Sequence, residues 1–332
     1  MTATPDAPSS LSGPVGTSRR ASDAVDKTVS LDVHGTRQSL RLCASGQGLP
    51  PVLIVQAGPG FPLLNEVGKF QHSLDLERDF LAAYWDQRGC GAAASRDIEG
   101  VSLQTQTDDL CFVVRWLAEQ TGQKVVVLGI SLGATLALRA AARIAESIKA
   151  LVLLSIDTDT AASDASVAAF LHERGARPDG RKTAKLVEKL GAPPYVSPTP
   201  FQLRARLLSD LGVIESGKRF GQLVRGLLSS LVRTYGVLGA VKTVRNINAI
   251  QRRMLPELAT LNLFSQWPER TVPIHHAFGE SDPLVPASLV QKVAGTCVRD
   301  DSVTVLPNAG HMLHFDEPDV VRSIVDRAHS MA

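Results

Sequence analysis

Aromatic residues are scarce in this chain: 3 Trp, 3 Tyr and 10 Phe among 332 residues, 5% in all. A core must therefore rest on Leu, Val, Ile and Ala. Hydrophobic residues still reach 44%, against 20% charged, which is ordinary for a globular protein and excludes a mainly disordered one. Cysteine is sparse as well. Cys43, Cys90, Cys111 and Cys297 form no Cys-x-x-Cys pair and read as buried thiols of a reducing compartment. No apolar run reaches the roughly 18–20 residues that a membrane span needs. Charge of one sign is not in excess. The net value of +2 demands neither a nucleic-acid nor a membrane partner. No period recurs, which excludes collagen-like, coiled-coil and repeat architectures. Residues 1–26, rich in Ser, Pro, Ala and Thr, read as a flexible tail without a secretory apolar segment, so a cytoplasmic protein is expected.

What the chain does contain is an alternation of strands and helices. Thr28–Val33 and Gln38–Leu42 flank a turn-like His34-Gly35-Thr36-Arg37 and suggest a hairpin. Pro51–Gln56 is a continuous apolar run ended by Ala-Gly-Pro-Gly, as suits a strand buried on both faces. Phe80–Trp85, Lys124–Gly129 and Ile148–Ile156 read as further strands, and Leu103–Gln120 and Ser131–Glu146 as helices. This order predicts an α/β fold: a mostly parallel sheet flanked by helices. From Thr158 to Arg270 the pattern turns helical, with Pro-rich breaks. Val272–Gly279 and Ser302–Leu306 then restore the strands, and Glu317–Ala332 closes the chain as a helix. The expected domains are a core over 27–157 and 271–332, interrupted by a helical cap over 158–270.

Within Ala161–Arg270 lie 17 basic and 8 acidic residues, a net +9. Such a segment is expected first as a solvated helical surface. If its charges faced inward, the field would favour neutral or anionic ligands.

Gly129-Ile130-Ser131-Leu132-Gly133 is the central motif. Gly-x-Ser-x-Gly arises by chance in a chain this long with a probability on the order of 0.1, so its context has to carry it. It lies between a β-branched strand and an Ala-rich helix, where a nucleophile elbow belongs. Such a turn leaves no room for Cβ atoms around the serine. The following helix aims its N-terminal N–H groups at developing negative charge.

His311 follows the last strand, in a loop from which it could reach Ser131 as general base and then general acid. His314, three residues on, competes for that role. His275 and His276 fall inside a strand and could not easily swing to the serine. Asp282, just past the preceding strand, could hold the imidazole in its productive tautomer. Glu280 and Asp157 are the alternatives. The order Ser131, Asp282, His311, each after a strand, is that of α/β-hydrolases. The oxyanion donors should be the backbone N–H of Leu132 and a second from the Gln56–Gly60 loop. Gly58 is the choice there and Ala57 the fallback.

The chain resembles the α/β-hydrolase superfamily and, within it, the proline iminopeptidase-like branch. The resemblance rests on Ala57-Gly58-Pro59-Gly60, Tyr84-Trp85-Asp86-Gln87-Arg88-Gly89-Cys90-Gly91, the elbow, the Gly279…Asp282 loop, Gly310-His311 and Gly191-Ala192-Pro193-Pro194-Tyr195. It implies the α/β-hydrolase fold with an inserted helical cap, and gives Asp86 and Arg88 a loop-holding role. Two stretches depart from the branch. Gln56 and Ala57 stand where it has His-Gly, and Ile130 and Leu132 make an esterase-like elbow. Iminopeptidases of the branch bind a substrate ammonium with cap carboxylates, and the sequence assigns none here.

Rival motifs are weaker. Gly89–Ala94 imitates a dinucleotide turn, but Ser95–Gly100 breaks the helix that should follow. His311-x-x-His314 lacks the glutamate and third ligand of a zincin. Cys90 has no histidine that Ser131 does not claim better. The expected protein is thus a serine hydrolase acting on an ester, thioester, lactone or small amide beneath the cap, with no cofactor and no metal. A proline iminopeptidase is the first alternative, and a slow or non-catalytic receptor on the same fold is the second.

Overall fold

The computed structural model describes residues 24–94, 98–267 and 271–330. Most of the expected tail, up to residue 23, lies outside them. Its last residues do not, because the first strand already begins at Val25.

Eight strands form one sheet: β1 (Val25–Val33), β2 (Thr36–Ala44), β3 (Pro51–Val55), β4 (Leu81–Asp86), β5 (Val125–Ile130), β6 (Ile148–Leu154), β7 (Ile274–Gly279) and β8 (Ser302–Leu306). Their spatial order is β1-β2-β4-β3-β5-β6-β7-β8. β1 and β2 form the expected hairpin, and β2 runs antiparallel to β4; every other pairing is parallel. β3 and β5 are buried at every residue. Helices on both faces leave those strands no solvated side, hence their unbroken Val, Leu and Ile content.

α2 (Leu103–Thr121) and α3 (Leu132–Ala141) cover one face through Leu110, Val113, Leu117 and Leu136. α1 (Val67–Leu74) and α10 (Pro318–Ser330) cover the other through Phe70, Leu74, Val321 and Val325. Ser102 and Thr105 cap the start of α2 reciprocally, and Gly122, at φ 65°, ends it. α3 is shorter than its composition suggested. Ile144 is wholly buried and the chain turns there to enter β6, so Ala145–Ser147 forms a 3₁₀ turn and not the end of a helix. α1 and α8 (Ala287–Ala294) were not anticipated; at eight residues each, they are too short for helical periodicity to stand out.

Between β6 and β7 come α4 (Thr160–Ala176), α5 (Arg181–Leu190), α6 (Pro198–Asp210) and α7 (Phe220–Leu258), with no strand among the described residues. This helical insertion has its own small core of Val167, Leu171, Val187, Tyr195, Leu207 and Leu208. Two backbone hydrogen bonds tie it to the loop after β8. His311 N–H donates to the Val213 carbonyl (2.9 Å) and Met312 N–H to that of Ile214 (2.8 Å).

Asp86, at the end of β4, is wholly buried. It accepts from the backbone of Leu63 (2.8 Å), Leu64 (2.9 Å) and Ala92 (2.9 Å), and from the Tyr235 hydroxyl on α7 (2.8 Å). One carboxylate thus gathers the loops after β3 and β4 and a helix of the insertion. Burial pushes its carboxyl up, and these donors work in the opposite direction. Arg88 instead grips Asp109 on α2 with two hydrogen bonds of 2.8 and 2.7 Å. No helix among the described residues is long and apolar enough to cross a membrane.

A Cβ added at Gly133 would collide with the Val55 carbonyl, because α3 crosses β3 at backbone contact. Gly133→Ala is therefore expected to lower stability by about 3 kcal/mol. Gly68, inside α1 with open space around it, is the control. Gly68→Ala should raise stability by up to about 1 kcal/mol. Urea unfolding of the two variants checks both values.

Candidate active site

Ser131 sits between β5 and α3 at φ 52°, ψ −116°, a conformation that costs energy for any residue with a Cβ. Neighbouring backbone holds it there. Its N–H donates to the Leu154 carbonyl on β6 (2.8 Å), and its own carbonyl accepts from Ala134 and Thr135. A Cβ at Gly129 would come within 2.6 Å of the Ala134 Cα. The two motif glycines therefore serve close approach, while the serine carries the strained dihedral. The result is a hydroxyl lifted out at the end of the sheet.

His311 and Asp282 come from the loops after β8 and β7. Those loops are laced together by Ser281 N–H donating to the Ala309 carbonyl (3.0 Å) and by Gly279, where a Cβ would strike the Gly310 carbonyl. Gly310 N–H donates to Asp316 (2.8 Å), and the Ser155 hydroxyl donates to the His311 carbonyl (2.9 Å). The side chains form one chain of hydrogen bonds. The Ser131 hydroxyl is 2.9 Å from His311 Nε2, and His311 Nδ1 is 2.6 Å from Asp282 Oδ2. A carboxylate can only accept, so Nδ1 carries the proton and Nε2 is left to accept from the serine. Asp282 is 3% exposed, and its other oxygen accepts from Leu284 N–H (2.9 Å).

The competitors lie elsewhere. His314 is buried and stacks on Phe70 with 5.2 Å between ring centroids. Burial, with Lys69 and His311 nearby, pushes its imidazole down to about 3. His275 bonds Ser302 across β7 and β8, and His276 stacks on Phe278. Glu280 is exposed. Asp157 accepts from the Thr160 (2.9 Å) and Ser163 (3.1 Å) hydroxyls, and burial raises its carboxyl. Cys90 is buried, and burial followed by the charge of Asp86 raises its thiol, which opposes a thiolate role.

Gly58, at φ 70°, lines the same cavity as Ser131 and Leu132. Ala57 lines it too, but its N–H already donates to the Gln56 side chain (2.9 Å). Gln56 also reaches the Pro62 carbonyl (3.3 Å). A residue that reads in sequence as a departure from the motif thus braces the loop through both ends of its amide. Only the fold brings Pro62 back to it.

The cavity measures about 580 Å³, and Phe61, Phe70, Phe201, Leu227, Ile247 and Leu255 give it mainly apolar walls. Its charge is not the charge of the insertion. Of the seventeen basic residues, fourteen are exposed. Among the described ones Arg204 alone lines the cavity, and it is paired with Asp164. Asp157, Asp164, Glu66 and Glu215 also line it, with Lys69. Glu215 bonds Lys69 (2.7 Å) and Lys218 (2.5 Å). The first expectation, a solvated surface, fits this arrangement, and the inward basic field does not: fourteen of these arginines and lysines face water, where their field is screened. Among the described residues, no group of three or more His, Cys, Asp or Glu converges as a metal site would require.

Residues 33–324 match the alpha/beta hydrolase family. The chain belongs to that family. As a hydrolase it is 24% identical to the probable aminopeptidase YbaC of Bacillus subtilis (strain 168) over 302 residues, 90% of this chain and 94% of that one. It also superposes on the proline iminopeptidase of Mycobacterium smegmatis with TM-score 0.63 at 16% identity, covering 91% and 98% of the two chains. The epoxide hydrolase CorEH superposes nearly as well, with TM-score 0.60, 18% identity and coverage of 92% and 99%. The proline iminopeptidase-like resemblance thus holds at the level of family and fold. One architecture serves several chemistries, so the substrate has to be argued from the site.

His314 yields a pH test. Its ordinary value is 6.5 and its folded value about 3. Below pH 6.5 the unfolded chain takes up a proton that the fold refuses. The stability from this residue is therefore full above 6.5 and is lost as pH falls toward 3. His314→Phe should flatten the acid limb of stability by up to about 1.4 kcal/mol per pH unit. Denaturant midpoints measured from pH 6.5 downward in both proteins give the difference. Equal slopes would refute the assignment.

Proposed function

We propose that this hydrolase is a serine esterase in the broad sense, cleaving an ester, thioester, lactone or small amide with a largely apolar acyl or alcohol part. The observation that carries the reading is the Ser131–His311–Asp282 hydrogen-bond chain facing a cavity of about 580 Å³ with mainly apolar walls. In this mechanism His311 Nε2 takes the hydroxyl proton as the Ser131 oxygen attacks the substrate carbonyl. Asp282 keeps the imidazole oriented and stabilises it while charged. The N–H groups of Leu132 and Gly58 receive the oxyanion. His311 then gives its proton to the leaving group, an acyl-serine remains, and a water deprotonated by His311 releases the acid. The insertion, over about 158–270, acts as the cap that covers the serine and shapes the pocket.

An aminopeptidase of the iminopeptidase type is the second reading. Asp157 and Asp164 share the cavity with Ser131, and the sequence relative YbaC is named as a probable aminopeptidase. Against it, Asp164 is already paired with Arg204, and Asp157 is bonded to two hydroxyls and raised by burial. A receptor without turnover is disfavoured by the aligned serine and imidazole, which a binding site would not need.

Ser131→Ala and His311→Ala should each abolish nearly all ester turnover, and the double variant should lose little more, because both break one proton-transfer unit. Asp282→Asn should cost on the order of 10⁴ in kcat, with Glu280→Gln silent. Kinetics on apolar acyl esters beside proline arylamides separates the two enzymes. Arylamides turned over faster, with loss in Asp164→Asn, would establish the aminopeptidase. No Ser131-dependent turnover of either class would leave the receptor.

A further inference from the structure

The chain as a whole is nearly neutral, but α7 is one-sided. From Phe220 to Leu255 it holds Arg225, Arg233, Lys242, Arg245, Arg252 and Arg253 and no acidic residue. All six are exposed. The ion pairs of the insertion, among the described residues, go to Arg177, Arg204, Arg206 and Lys218 instead. The same helix carries six of the ten exposed large hydrophobic residues found among the described residues: Leu228 (45%), Val232 (44%), Val237 (65%), Leu238 (79%), Val241 (62%) and Val244 (38%).

These apolar residues centre on a break. Gly236, at φ 70° and ψ 174°, interrupts α7, and Tyr235 beside it is anchored to buried Asp86. Leu228 on one arm and Val244 on the other line the catalytic cavity, while Val237 and Leu238 at the break do not. Apolar surface therefore leads from the cavity wall outward to the break. Lys242 lies one helical turn from Leu238, and Arg245 one turn from Val241, so cations border the band. Apolar side chains flanked by long basic ones match a lipid surface, the tails taking Val and Leu and anionic headgroups taking Lys and Arg. A second copy of the chain fits poorly, since an isologous contact would set this cationic face against itself.

We propose that the Gly236 break of α7 docks on an anionic lipid surface and lets an ester-bearing amphiphile pass from it along the apolar band into the cavity. The docking stands on α7 alone; the delivery of an ester rests on the function proposed above. It revises the expectation that no membrane partner exists, which followed from a net charge averaged over the whole chain. The contact is peripheral and needs no spanning helix.

The test is cosedimentation with phosphatidylcholine vesicles, with and without phosphatidylglycerol, at low and high salt. Using Ser131→Ala keeps the lipid intact. The protein should pellet with the anionic vesicles, tenfold or so more weakly at high salt, and stay in solution with phosphatidylcholine alone. Val237→Glu combined with Leu238→Glu should weaken anionic-vesicle binding by about tenfold or more. In the background with Ser131 intact, the pair should leave hydrolysis of a short soluble ester at the wild-type rate and slow that of a long-chain ester held in anionic vesicles. The unchanged short-ester rate shows that fold and site survive. No pelleting with anionic vesicles, or equal pelleting of the double variant, overturns the docking. A dimer seen by sedimentation velocity and abolished by the same pair would give the patch to a second copy and overturn it too. Loss of all ester turnover in the parent protein would strike the proposed function and leave the docking result standing.

Discussion

Everything at the Ser131 end of this molecule depends on how closely α3 passes the ends of β3 and β5. Gly133 meets the Val55 carbonyl, and Gly129 meets the Ala134 backbone, at distances that admit no side chain. That contact forces the chain to reverse within one residue, and Ser131 absorbs the reversal with a positive φ. An ordinary strand-to-helix connection would bury the serine hydroxyl or point it along the sheet. The same contact brings the first turn of α3 beside the loop after β3, so that Leu132 and Gly58 border one cavity.

Strain at one residue persists only where its surroundings over-determine it. Here the surroundings are carboxylates and carbonyls that gather several segments at once. Asp86 binds two loops and α7; Asp316 binds Gly310 N–H and, from the insertion, Ser216 N–H. Val213 and Ile214 complete the enclosure by accepting from the backbone beside the histidine. The insertion is thus hydrogen-bonded directly to the segment bearing His311. A shift of these helices would move the His311 imidazole as well as the pocket wall, which couples the shape of the pocket to the placement of the proposed base.

Much of this was legible because it is local. A β-branched run gives β5 and an apolar one β6, and the five residues of the elbow give the turn. The succession of Ser131, Asp282 and His311 after strands could be read without contacts. The strand Ser302–Leu306 stands as the sequence suggested. What failed was also physical. Composition made α3 run to Glu146, but a buried Ile144 and the return to β6 ended it at Ala141. Gln56 looked like a loss relative to the motif, and the fold makes it a brace. Net charge said nothing of direction. The +9 of the insertion is a sum over residues, whereas a field depends on where each charge points, and fourteen of the seventeen point to water.

The sequence by itself determined the order of the strands, the succession of Ser131, Asp282 and His311 after them, and the place of the helical insertion. These follow from periodicity, backbone sterics and the intrinsic chemistry of single side chains. Tertiary structure alone decided which histidine meets the serine. His311 and His314 are three residues apart, yet one reaches Ser131 and the other lies flat on Phe70. It also decided that most basic residues of the insertion turn away from the pocket, that Arg204 reaches it already paired with Asp164, and that Val237 and Leu238 of α7 stay outside. Those outcomes depend on which way a side chain faces after distant segments pack, and no stretch of the chain encodes that alone.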